Sequence, residues 1–121
     1  MNKIKSIQEL IEMKQSIDEN RNAIRSIYIP SLDTEFKFKM ATRPEMVQLR
    51  NMDAQDQDTY LIFTHVIEPN LKDSALQEAY NRGNKPYDIV DKLLNYDEVG
   101  MLSLAIIDQN SNADIVGDIK N

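Results

Sequence analysis

"SIYIPSLDTEFKFKM", residues Ser26–Met40, decides whether this chain is purely helical. Phe36, Phe38 and Met40 alternate with Lys37 and Lys39, a period of two that puts the apolar side chains on one face of a strand and the lysines on the other. Ile27 and Ile29 make a shorter strand ending at Pro30, and the Pro, Ser, Asp and Thr between the two supply turn chemistry. The simplest reading is a β-hairpin. A hairpin alone is barely stable in water, so its apolar face has to pack on helices or on another subunit. Its open edges would also let another copy pair with it.

On the N-terminal side, Ile4, Ile7, Ile11 and Met13, with Leu10 beside them and Ile17 one turn further on, recur at three- and four-residue steps. This spacing predicts an amphipathic helix from Lys3 to about Asn22. The polar "DENRN" that follows marks its end.

From Thr42 onward the signals are helical. "TRPE" places Thr42 as N-cap and Glu45 as N3, a reciprocal capping box, with Pro44 tolerated in the first turn. That helix is short and ends at about Met52. The next runs from "DAQDQD" through "TYLIFTHVI" and has to stop at Glu68, because Pro69 disfavours helical geometry in the residue before it. Its apolar run nearly encircles the helix, which predicts a central position in the core. Asp73 caps "SALQEAY", and Gly83 sits where a left-handed C′ residue is wanted. Pro86 opens a helix whose buried stripe is Ile89, Val90, Leu93 and Leu94. Asn95 with Glu98 caps "EVGMLSLAII", and "SNADIVGDIK" reads as a last short amphipathic turn or two. The chain is thus predicted to be mainly α (α+β), with five to six helices and one N-terminal β-hairpin. At 121 residues one domain is expected over 1–121: a helix within 1–24, the hairpin within 26–41 and a helical body over 42–121.

Composition limits the function. With 41% hydrophobic and 28% charged residues the chain is ordinary for a folded protein. Its 14 basic and 20 acidic residues give a formal charge of −6, which repels phosphate backbones and anionic membranes, so neither nucleic acid nor membrane is an expected partner. There is no cysteine, hence no disulfide and no thiolate metal site. The N-terminal "MNKIKSIQELIEMK" lacks a signal peptide's continuous apolar stretch, and "YLIF" and "LAII" are too short to span a bilayer.

Chemistry-bearing residues are sparse. His65 is the one histidine; with Glu68 it would supply two metal ligands where a closed site needs about four. Asp53, Asp56 and Asp58 resemble the start of a calcium loop, but Tyr60 and Leu61 stand where a further oxygen ligand and the glycine belong. Their economical role is negative charge at the positive end of a helix. A nucleophilic triad would need His65 as its base, and no partner spacing supports one. Neither a cofactor nor an enzymatic activity is expected. The remaining signal is surface: five tyrosines and several methionines, side chains suited both to cores and to protein interfaces.

"EPNLKD" at 68–73, "LQEAY" at 76–80, "PYDIV" at 86–90, Glu98-Val99-Gly100-Met101-Leu102-Ser103 and the closing "DIVGDIKN", with the upstream "YIPSLDTEFKFK", together resemble the XkdN-like phage tail assembly chaperones of phages and prophages of Gram-positive bacteria. The resemblance covers roughly 28–121 and departs from the family pattern in the polar "NRGNK" at 81–85. It implies a non-enzymatic chaperone of the host cytoplasm that binds the tape measure protein, keeps it soluble while tail tube subunits assemble, and is absent from the finished virion. Tail tube subunits are a further implied partner, and the open hairpin edges allow a second copy of the chain as another. The competing readings are a structural tail component and a small helical protein-binding adaptor. Under the chaperone reading the expected contact residues are Leu71, Tyr80 and Tyr87, with the C-terminal Ile115, Val116 and Ile119; core packing is the competing role for each.

Overall fold

The alternation at Phe36 and Phe38 does produce a strand. In the computed structural model, which describes residues 4–108 with their side chains and the backbone of 114–118, strand β1 (Ala23–Ile29) pairs antiparallel with β2 (Thr34–Lys39). Ile27 lies opposite Phe36 and Arg25 opposite Phe38. A 3-10 turn at Pro30–Leu32 joins them and closes on Asp33 in left-handed geometry (φ 49°), which a short polar side chain tolerates better than most. The Tyr28 hydroxyl donates to Asp33 Oδ1 at 2.6 Å, and this bond raises the phenol above its ordinary pKa.

The hairpin is the centre of a larger sheet than the sequence predicted. Its order is β3-β2-β1-β4, all antiparallel, with β3 (Val66–Glu68) on the outer edge of β2 and β4 (Asp114–Asp118) on that of β1. Two expectations are corrected here. The helix predicted to run to Glu68 ends at His65, because Val66 already adopts extended geometry and pairs with Phe38; the extended bias before Pro69 spreads over three residues. The segment read as a final amphipathic turn is a strand, which suits the β-branched Ile115 and Val116 and fills an otherwise open ladder on β1. Each hairpin edge is therefore occupied in part within the chain, that of β1 by β4 along Ala23–Ser26 and that of β2 by β3 at Lys37 and Phe38.

The predicted N-terminal helix forms as two segments, α1 (Ile7–Glu12) and α2 (Lys14–Arg21), meeting at Met13. The Ser16 hydroxyl donates to the Met13 carbonyl at 3.1 Å, a local bond that competes with the helical ladder and bends it. Five further helices make the body: α3 (Arg43–Leu49), α4 (Ala54–His65), α5 (Ser74–Tyr80), α6 (Ile89–Leu93) and α7 (Tyr96–Ile107). Counting the bent arm once gives six among the described residues, a mainly α, α+β fold as read. The predicted boxes Thr42/Glu45 and Asn95/Glu98 are both formed, and Asp73 caps α5.

Helix α4 is the hub expected from its all-round apolar sequence, touching α3, α6, α7 and the 3-10 turn at Pro86–Asp88. Ile29, Phe36 and Phe38 from the sheet, Leu61 and Ile62 from α4, Ile89 and Val90 from α6, and Leu102, Ala105 and Ile106 from α7 belong to one buried cluster. The Ala41 amide donates to the Ile106 carbonyl at 3.0 Å, fixing the end of α7 to the exit of β2.

Candidate interaction surfaces

His65 is the natural place to look for chemistry, and the fold gives it neighbours that sequence spacing did not. It is 3% exposed, its Nε2 is 3.1 Å from Glu45 Oε1, and its Nδ1 is 3.0 Å from Thr64 Oγ1. Hydroxyl, imidazole and carboxylate thus lie in a row beside a cleft of about 220 Å³ that includes Gln48, Met52 and Tyr60. The row is nevertheless unsuited to nucleophilic catalysis. His65 Nδ1 is also 2.9 Å from the Leu61 carbonyl, so the backbone competes with the threonine for this nitrogen. The Thr64 hydroxyl is itself spent on the Tyr60 and Leu61 carbonyls at 2.9 and 3.2 Å.

The arrangement is a structural tie between α3 and α4. Partial burial pushes the Glu45 carboxyl upward, but donors from the Thr42 amide, His65 and the Thr42 hydroxyl outweigh it and bring the pKa down to about 2. Among the described residues no three His, Asp or Glu side chains converge as a metal site. None of the described helices is long and apolar enough to cross a membrane.

The stretch from Glu68 to Leu93 is organised by amide side chains. Asn81, 3% exposed just beyond α5, donates through Nδ2 to Gln77 Oε1 at 2.9 Å and to the Lys85 and Pro86 carbonyls at 2.8 and 3.2 Å. Gln77 Nε2 in turn donates to the carbonyls of Leu71 (2.8 Å) and Pro86 (2.9 Å). Gly83 has the predicted left-handed conformation (φ 81°), but inside this loop and not directly after the helix, which ends at Tyr80.

The expected contact residues fare unevenly. Leu71 is 2% exposed and belongs to the core cluster, the competing role given above; its carbonyl accepts from Gln77 Nε2. Tyr80 is 53% exposed at the end of α5. Tyr87 is half-buried and packs edge-on against Tyr60 of α4, with ring centroids 5.5 Å apart. Ile115 pairs through its backbone with Arg25, and Val116 falls at the register shift beside it. Ile119 lies outside the described residues.

Two apolar surfaces were missed. No residue of α1 or α2 is buried: Ile7 is 77%, Leu10 51%, Ile11 60% and Ile17 39% exposed, and Ile4 just before them 98%. Their three- and four-residue spacing was plain in the sequence; that none of the described residues buries them was not. The second surface is the outer side of α7, with Tyr96, Leu104 and Ile107 exposed. No protein-family model, curated protein or solved structure matches this chain.

Proposed function

We propose that this protein is a non-enzymatic chaperone of phage tail assembly, which binds the tape measure protein in the bacterial host and keeps it soluble until tube subunits enclose it. The observation that carries the reading is the uncovered apolar stripe of the α1–α2 arm. A helical segment about 22 Å long is marginal in water by itself, and its order is completed by packing its apolar side against another helix. A long helical client with exposed apolar stripes presents such helices in number, and helix-on-helix docking is the corresponding mode of recognition. The resemblance over 28–121 supplies the identity of the client. The net charge of −6 supports the same role, because like-charged complexes stay apart in solution.

Co-expression with the tape measure protein tests this. The client is expected in the soluble fraction, co-purifying with the chaperone. A client that stays insoluble and unbound in its presence refutes the proposal, and mass spectrometry of purified particles separates a chaperone from a tail component that stays in the virion.

A further inference from the structure

Among the described residues nothing explains why residue 100 is glycine. It lies mid-helix in α7, exposed, and a Cβ built there meets no atom within 4 Å. Glycine at an exposed helix interior weakens the helix relative to almost any other residue, and what it offers in return is close approach of another backbone. Four residues before it Tyr96 is 92% exposed, four residues after it Leu104 is 59% exposed, and Ile107 follows at 46%. Steps of three and four put all of them on one side of the helix.

We infer that this side is the interface of a two-fold homodimer, in which α7 crosses α7 of a second copy antiparallel, at Gly100. A two-fold contact needs a surface complementary to itself. Tyr96 and Leu104 are equidistant from Gly100, so an antiparallel crossing at that point lays Tyr96 of each copy on Leu104 of the other while the two glycines meet at the centre. Charge allows it: the line Tyr96, Gly100, Leu104, Ile107 carries none. The antiparallel setting also places each helix dipole beside its reverse. Few side chains per copy take part, which is less than the ~800 Å² per partner of a standard interface, so the association is weak and depends on concentration. The strip shares no residue with the arm, and the inference stands apart from the client reading.

Analytical ultracentrifugation of the full chain from micromolar to millimolar concentration provides the test. The wild type is expected to rise from the 14.0 kDa monomer towards twice that mass. Gly100→Gln fits the open space and suits a helix, so at low concentration its thermal midpoint should rise by roughly 2–4 °C. The same variant should weaken association tenfold or more, as should Leu104→Gln. A wild type that stays at 14.0 kDa throughout overturns the inference. So does a Gly100→Gln chain that associates as tightly as the wild type, or one whose midpoint falls, which would give the glycine a role inside the monomer.

Discussion

Glu98 does two things with one carboxylate. It completes the capping box of α7, accepting from the Asn95 amide at 3.1 Å, and it also receives the Ser31 hydroxyl at 2.6 Å and the Ser31 amide at 2.8 Å. The turn of the hairpin is thereby tied to the start of α7. Burial opposes the charge, but these donors hold the carboxyl below its ordinary range. Glu98→Gln replaces an oxygen by an NH₂ group, leaving at least one donor facing another donor. We expect a loss of about 1–3 kcal/mol in urea unfolding; a change below about 0.5 kcal/mol, the ordinary surface value, would show the tie to be idle. The capping half was readable from the Asn95–Glu98 spacing, whereas the Ser31 half joins positions 67 apart and was not. Asn81 is the parallel case. Asn81→Ala takes the donor from Gln77 Oε1 and leaves the Lys85 carbonyl with the Asp88 amide alone, while Gln77 still serves Pro86, so a loss of about 1 kcal/mol is expected by the same measurement.

At the scale of elements, the arm separates binding from folding. Because neither α1 nor α2 buries a side chain, Ile7→Asp with Ile11→Asp should leave urea stability within about 0.5 kcal/mol of the wild type. Under the proposed chaperone role, the same double variant should lose the tape measure protein from the soluble, co-purified fraction. Retention of the client by this variant would move the contact to another surface. The elements also show where periodicity misleads. Val66, Ile67 and Glu68 continue the helical pattern of α4, yet they complete the edge of β2, since an unpaired strand edge offers a row of donors and acceptors that a helix end does not.

For the molecule as a whole, the two glutamates set the acid limit of the fold, Glu45 joining α3 to α4 and Glu98 joining the hairpin to α7. Both have a folded pKa below the unfolded one, so the unfolded chain takes up protons first as the pH falls. Their contribution is whole above about pH 4.5 and is lost progressively down to about pH 2, the value to which Glu45 is lowered. Thermal midpoints measured from pH 6 to 2 should fall across that window, and Glu45→Gln should flatten part of the slope. The Glu45 side chain is 37% exposed, and solvent screening keeps its share the smaller. A slope unchanged in Glu45→Gln would assign the acid sensitivity elsewhere.

Local physics was legible from residues alone. The capping boxes at Thr42/Glu45 and Asn95/Glu98, the Asp73 cap, the left-handed Gly83 and the alternating strand at Phe36–Phe38 all depend on groups a few positions apart, whose geometry the chain carries wherever it folds. Only the tertiary structure decided which apolar residues are covered. Leu71 and Ile7 are both apolar, but one is sealed beneath the loop it anchors and the other stands 77% exposed. The same holds for the strands at 66–68 and 114–118 and for the reach of Glu98 to Ser31, because burial and ladder pairing depend on segments distant in sequence meeting in space, and short-range spacing holds no record of that meeting.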